Sequence, residues 1–527
     1  MKCLKTFLVL LLFGTTLFAA DWPSIGGNAQ RDGWSRGEKK LSKETAAGIR
    51  FLYGYKAAGA KGKQSELTTP VVLSNIITYK GFKQLVSVGR SDNSVVSLDA
   101  DLGTLFFDTH LTPGESSKKI KASAPCPGGM TANLAFPGNS MAPGRFGTPS
   151  TNSVGRVARS KPAPFHFTFA SPIYAISDDG ALHTILQLSG IANTVPPVKV
   201  LPPMARASGL NINNDRIFVA TVGNCRGNPN GIYAVDPSAG TVESFLTGGS
   251  GAAGSGGTAI GTDGVVYAQI SSGHGEVAGD YNDSVLALSP DKLAVQDYFT
   301  PAGPAAKVDA ADVSGVTPTV FGLEQKDWVV AAGHDGRIYI LDADSLGGAD
   351  HHTPAFRSDQ IVPPGSASKR RGKADGFLNN FATYLDDQGV RWLFASVRGQ
   401  VTQEFPVKNG DAPTGSAPNG SIIAFKITFD GGKPSLTPAW RSRDMVSPAA
   451  PAIMNDLVVA LSTGEPTSSK KGERAILYVL DARTGKELYV GDKATAYSSG
   501  GLAVANSQIY FATHDGTLYA YGIPLER

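Results

Sequence analysis

The stretch Gly336-Arg337-Ile338-Tyr339-Ile340-Leu341-Asp342 decides the fold, because it returns. Gly516-Thr517-Leu518-Tyr519-Ala520-Tyr521 repeats it, as do Gly231-Ile232-Tyr233-Ala234-Val235-Asp236 and Ala475-Ile476-Leu477-Tyr478-Val479-Leu480-Asp481. A phrase recurring at roughly forty to fifty-five residues marks stacked units, each too small to bury its own apolar face. A polar turn precedes each copy's strand. His334-Asp335-Gly336, His514-Asp515-Gly516, Asp178-Asp179-Gly180 and Asn230-Gly231 are read as suppliers of the positive φ that tight hairpins need.

Working outward, a second turn follows at Asp481-Ala482-Arg483-Thr484-Gly485-Lys486, and then an outer strand, Glu487-Leu488-Tyr489-Val490. Near the start, Val71-Val72-Leu73, Ile76-Ile77-Thr78-Tyr79, Leu85-Val86-Ser87-Val88 and Val95-Val96-Ser97-Leu98 read as four short strands. Four hairpin-linked strands describe one blade of a β-propeller. Anchors at the end of the third strand fall at Leu98, Leu186, Val235, Leu288, Leu341, Phe425, Leu480 and Tyr521. The expected fold is therefore all-β, an eight-bladed β-propeller of four-stranded antiparallel blades. The long intervals Leu98 to Leu186 and Leu341 to Phe425 mark insertions at about 112–161 and 345–374. The fourth-strand region of the sixth unit also reads as loop-rich. The last unit lacks an outer strand, while Ile49-Arg50-Phe51-Leu52-Tyr53-Gly54-Tyr55 is a strand without a unit. This N-terminal strand is expected to close the ring, which removes two open edges.

The chain has 527 residues, with 62 glycines, 33 prolines and 41% hydrophobic residues, the balance of a turn-rich globular protein. Forty-eight basic against 45 acidic residues leave +3, so there is no broad basic field to hold nucleic acid or an anionic membrane. Residues 1–20 read as a secretory signal. Lys2 and Lys5 precede the apolar run Phe7 to Phe13, and Ala19 and Ala20 offer a small-residue cleavage site. No second apolar stretch of spanning length follows. Residues 21–527 are expected to form a single exported propeller, periplasmic or extracellular and monomeric, without a transmembrane segment. Cys3 leaves with the signal. Cys126 and Cys225 then form a disulfide in an oxidising compartment, or stay as two separate buried thiols.

The repeat resembles that of the pyrroloquinoline quinone (PQQ) dependent dehydrogenases, whose motif runs Ala-x-Asp-x-x-Thr-Gly-Lys-x-x-Trp. The seventh unit supplies Asp481, Thr484, Gly485 and Lys486, with Val479 at the alanine and Tyr489 at the tryptophan. The third supplies Ala234, Asp236 and Gly240, with Ser244 at the tryptophan, and the first supplies Asp99 and Gly103, with Phe107 there. Trp22-Pro23-Ser24-Ile25-Gly26-Gly27 also looks like the mature N-terminus of that family. The resemblance spans nearly the whole mature chain and implies the propeller fold, with PQQ and calcium as the cofactors of an enzyme of this type. The chain departs from the family pattern in having no Cys-Cys pair, and it has no Cys-x-x-Cys-His for a covalent haem. No positions match the family's calcium ligands or catalytic aspartate.

Other candidate residues are few. Glu276, Asn282 and Asp283 share one loop, which could offer oxygen ligands to calcium or be a solvated hairpin. Asp350-His351-His352 is the densest set of metal-ligating types, although adjacent residues of an extended chain point to opposite sides. His334 and His514 occupy equivalent turns, which favours turn chemistry, and His274 between glycines is similar. Lys369-Arg370-Arg371-Gly372-Lys373 is a local basic run, read as a solvated loop or as a contact for an anionic ligand or partner. Serine-hydrolase elbows, zinc-protease helices and phosphate-binding loops are absent from the sequence; Gly248 to Gly257 precedes a strand and not a helix. Two functions follow. One is a binding or scaffold module that engages a protein partner or small-molecule ligand on one propeller face, as outer-membrane assembly lipoproteins of similar repeat type do. The other is a PQQ- and calcium-dependent dehydrogenase that oxidises an alcohol or sugar by hydride transfer to the quinone.

Overall fold

The computed structural model describes residues 21–38, 40–57, 66–78, 81–112, 126–137, 172–247, 251–271, 281–302, 315–323, 325–363, 369–370, 373–406, 416–466 and 472–524. The signal segment, Tyr79, His274, Glu276, Arg371, Gly372 and most of the first insertion lie outside these residues. The described chain is all-β, eight antiparallel blades arranged as a propeller. We letter the strands of a blade A to D from the axis outward. In the first blade they are Val71–Thr78, Gly81–Arg90, Ser94–Asp99 and Thr104–His110. All eight sequence anchors fall on C strands, from Ser94–Asp99 to Thr517–Gly522.

Three details differ from the sequence reading. Val71-Leu73 and Ile76-Thr78 belong to one A strand, with a register shift between Leu73 and Ile76. Gly231 does not adopt positive φ. It begins an extended C strand opposite Leu246, and the B–C loop before it is longer and turns through Gly223 and Asn224 at φ 81° and 47°. The outer strand of the sixth blade is not a loop but the nine-residue Lys433–Arg441. Gly180, Gly336 and Gly516 do have φ of 80°, 77° and 77°, where any other L-residue would be strained. Inside the bounds of the first insertion, Met130, Leu134 and Phe136 are core residues, and Ala135 bridges to Tyr174 at the A position of the second blade.

The apolar cores lie between neighbouring blades. Val219, Val235, Ala135 and Ile176 join the second and third blades; Ile340, Leu393 and Phe425 join the fifth and sixth. Sheet pleating explains this, because alternate residues of A, B and C strands face opposite neighbours. At the outer part of these cores, a D-strand aromatic docks on the C–D turn of the next blade. Trp440 of the sixth blade lies under Gly485 of the seventh, where an added Cβ would stand 2.7 Å from the indole, and its Nε1 donates to the Ala482 carbonyl at 2.9 Å. Phe107 meets Gly190 in the same way, and Tyr53 meets Gly103. Tyr53 sits on Arg50–Lys56, which pairs antiparallel with the last C strand, from Arg50 opposite Gly522 to Lys56 opposite Thr517.

Residues 21–41 run past the axial edge of all eight blades. Trp22 exchanges backbone hydrogen bonds with Val72 of the first blade, and Pro23 accepts one from Phe136 beside the second. The amides of Ile260, Val320, Thr383 and Ile453, on four successive blades, donate to the carbonyls of Ala29, Gln30, Asp32 and Gly33. Trp34–Ser35 then pairs in parallel with Ile453 and Met454. The Glu38 carboxylate accepts from Ser507 Oγ at 2.8 Å in the A–B turn of the eighth blade. This strap has no apolar alternation of its own; its backbone bonds go to strands of five blades and to Phe136 beside the second.

Candidate functional site

The two ends of the ring are built differently. At the A–B end, the strap places Arg31 among the inner strands with no exposed surface. Its φ of 59° turns the side chain back toward the axis. Nε donates to the Thr258 carbonyl at 2.9 Å, Nη1 to Ser24 Oγ at 2.9 Å and to the Ile25 carbonyl, and Nη2 to the carbonyls of Leu210 and Gly256 at 2.9 Å each. All five guanidinium donors are thereby used. Burial pulls its pKa down to about 9, which leaves it charged at neutral pH, solvated by neutral oxygens and by no carboxylate. The Arg31 carbonyl in turn accepts from Thr319 Oγ1 at 3.3 Å and Asn380 Nδ2 at 3.4 Å. One side chain thus ties the third and fourth blades, and its backbone ties the fifth and sixth.

The opposite end carries the B–C turns and the loops that join successive blades. Here Cys126, within the first insertion, is disulfide-bonded to Cys225 in the B–C loop of the third blade, with Cα atoms 5.5 Å apart. Both cysteines are buried. The second insertion returns to the ring at the same end, through a short hairpin in which Lys369 pairs with Ala374 and Arg370 with Lys373. Directly after it, Asp375, Gly376 and Phe377 form one wall of a cleft whose other walls are Gly333, His334 and Gly336 of the fifth B–C turn, Val362 with Pro363, and Gly315 with Val316.

His334 is nine-tenths buried, with its Nε2 3.6 Å from Asp283 Oδ1 of the fourth blade. That separation is too long for a hydrogen bond, and Nε2 has no partner. Its repeat counterpart His514 pairs through Nδ1 with Glu66 at 2.6 Å and stacks on Tyr497. The backbone amide of Asp178, at the same turn position in the second blade, donates to Asn93 Oδ1 at 2.9 Å. Asp178 and His334 reach toward the preceding blade, and His514 toward the first blade, which follows its own in the ring.

Asp350, His351 and His352 do not form a metal cluster. His351 stacks on Tyr298 at 4.0 Å and lies 3.1 Å from Asp297, and His352 Nδ1 meets the Thr300 carbonyl at 2.8 Å. Asp350 caps the local turn through the amides of His352 and Thr353, whose bonds hold its carboxyl below the usual range. The three residues lash the start of the second insertion to the D strand of the fourth blade. A serine–histidine pair also occurs: His183 Nε2 lies 2.8 Å from Ser177 Oγ, and Nδ1 lies 3.0 Å from Asn193 Oδ1. Ser177 also bonds Asp179, as Thr513 bonds Asp515 at the equivalent turn. The pair is buried turn chemistry of the repeat, not a nucleophile presented to a substrate.

No family model matches the chain, and no curated protein does. Solved structures do. The chain is similar to a quinohemoprotein alcohol dehydrogenase from Pseudomonas putida HK5, at 13% identity over 96% of this chain and 81% of that one, with a TM-score of 0.60. It is similar to a europium-containing methanol dehydrogenase at 11% identity over 95% and 98%, with a TM-score of 0.61. A quinohemoprotein alcohol dehydrogenase from Comamonas testosteroni gives 13% identity over 96% and 81%, with a TM-score of 0.58. The fold is thus the propeller of the quinoprotein dehydrogenases that the repeat resembles, and at these identities the likeness is one of fold.

The described residues assemble no metal site of the kind that a PQQ- and calcium-dependent dehydrogenase needs. The buried hydroxyls of Thr69, Ser208 and Thr317 are used inside the fold, Thr69 accepting from the Gly501 amide and the other two donating to the carbonyls of Ala220 and Ala253. Among the described residues no three of His, Cys, Asp and Glu gather as a group able to hold a metal. Of the proposed calcium loop, Asn282 and Asp283 are described; Asp283 faces His334 as above.

Proposed function

We propose that this chain is an exported β-propeller scaffold that binds a partner protein or small ligand at its B–C end. The observation that carries this reading is the asymmetry of the axis. The A–B end is filled by the chain's own strap, with all five Arg31 donors satisfied, whereas the first insertion, the hairpin that ends the second and the disulfide are rooted at the other end. A rigid ring that displays loops on one face is a common basis for recognition. The disulfide suits an oxidising compartment, and no helix among the described residues is long and apolar enough to cross a membrane.

The fold likeness favours the dehydrogenase as the second reading. Titration of the purified protein with PQQ and Ca²⁺, followed by absorbance and by dye-linked turnover over alcohols and sugars, separates the two. The scaffold reading predicts neither stoichiometric quinone binding nor turnover. Saturable binding with turnover would replace it by the dehydrogenase.

A further inference from the structure

The cleft between the fifth and sixth blades is lined by two buried polar atoms that have no hydrogen-bond partner among the described residues, and both are acceptors when His334 carries its proton on Nδ1. One is His334 Nε2, on a side chain that is 9% exposed. The other is Asp375 Oδ1, a buried carboxylate oxygen without a partner. A buried acceptor left unpaired costs on the order of 1–3 kcal/mol, and more for a charged group. Two in one cleft therefore call for a common donor. Neither group is free to swing away. Asp375 packs on Gly399, where an added Cβ would stand 2.4 Å from its Cγ, and His334 is held in a glycine-flanked turn beside Asp283.

The surroundings narrow the donor. The cleft offers about 20 Å³ of internal space, enough to admit a small polar group. Among the described side chains its charge is negative, from Asp375 with Asp283 behind His334. The walls leading out are apolar: Val316 and Val362 are fully buried and Phe377 nearly so, with Pro363 at the rim. A small multi-donor cation at the tip of an alkyl stem satisfies all of these conditions.

We propose that this cleft is a binding site for a primary alkylammonium, with the –NH₃⁺ head donating to Asp375 Oδ1 and His334 Nε2 and the stem lying against Val316, Val362 and Phe377. The assignment rests on the reading of the B–C end as the binding face. Its source is either a free amine or a lysine side chain.

The test is calorimetric and NMR titration of the full chain with n-butylammonium, with n-butanol as the uncharged control of equal stem. A second arm uses a blocked lysine amide. Saturable binding of n-butylammonium in the millimolar range is expected, with none by n-butanol. Asp375→Asn, nearly isosteric, should weaken it at least about tenfold, and His334→Phe should do the same; both variants are checked for unchanged unfolding midpoints. Binding of the blocked lysine amide as well assigns a protein lysine as an admissible source, and its failure restricts the site to free amines. No saturation by n-butylammonium up to about 50 mM, equal binding by Asp375→Asn, or Zn²⁺ binding that needs the same two residues would overturn the proposal. A flat amine titration leaves the binding-face reading intact, because that reading is tested separately by the quinone titration.

Discussion

Arg31 Nη2 lies 2.9 Å from the Leu210 carbonyl, which joins the strap to the third blade across 179 positions of sequence. The same guanidinium reaches Gly256 and Thr258 of the fourth. Arg31→Met removes every donor and strands these acceptors in a buried site, so a loss of about 3–5 kcal/mol is expected. Arg31→Lys restores at most three donors and should fall between the variant and the wild type. Urea unfolding midpoints check the order.

The aromatic docking of neighbouring blades has a similar test. At Gly485, φ is 75° and a Cβ would stand 2.7 Å from the Trp440 ring. Gly485→Ala should cost more than about 1 kcal/mol, from backbone strain and displaced indole together. Trp440→Phe keeps the apolar area but loses the bond to Ala482, for about 1 kcal/mol. Combined, the two should cost less than their sum, because the smaller ring makes room for the methyl.

The Cys126–Cys225 bridge closes a separation of 99 residues. Cys126→Ser with Cys225→Ser should lower stability by roughly 2–4 kcal/mol. Both sulfurs are buried, so the native protein should resist reduction by dithiothreitol until it is partly unfolded. Thiol labelling against urea concentration measures this.

His183 gives a pH prediction. Burial lowers its pKa from the ordinary 6.5, opposed by its bond to Asn193. The folded state therefore resists protonation that the unfolded chain accepts. Its contribution to stability is complete above about pH 6.5 and is lost as pH falls below that value toward the depressed folded pKa. His183→Gln should flatten the stability curve between about pH 6.5 and 5, read as the difference in urea midpoints.

The eight blades were legible because the repeat is local: Gly336, Gly516 and Gly180 mark turns within a few residues of the strand that they start. Trp440 was not. The sixth blade turns at Gly431-Gly432 and runs long C and D strands, which carries the tryptophan beyond the motif spacing and leaves only Tyr489, Phe107 and Ser244 at the expected places. Tyr489 has no C–D turn ahead of it to dock on, since the eighth blade takes its D strand from Arg50–Lys56. The strap was invisible for a different reason. Gly26 to Ser35 has no strand period, and its partners, from Val72 to Ser507, are set by the closed ring. In the cleft, His334 is readable as a turn residue, but Asp375 acquires its place only when the sixth blade packs on the fifth.

The central claim is that one strap, held by Arg31, seals the A–B end and ties the blades together. Hydrogen exchange at the amides of Ile260, Val320, Thr383 and Ile453 tests it most directly, since each donates to a strap carbonyl on a different blade. The account predicts that all four are protected to the level of global unfolding in the wild type and lose protection together in Arg31→Met. Independent exchange of the four, or protection unchanged by the substitution, would contradict it.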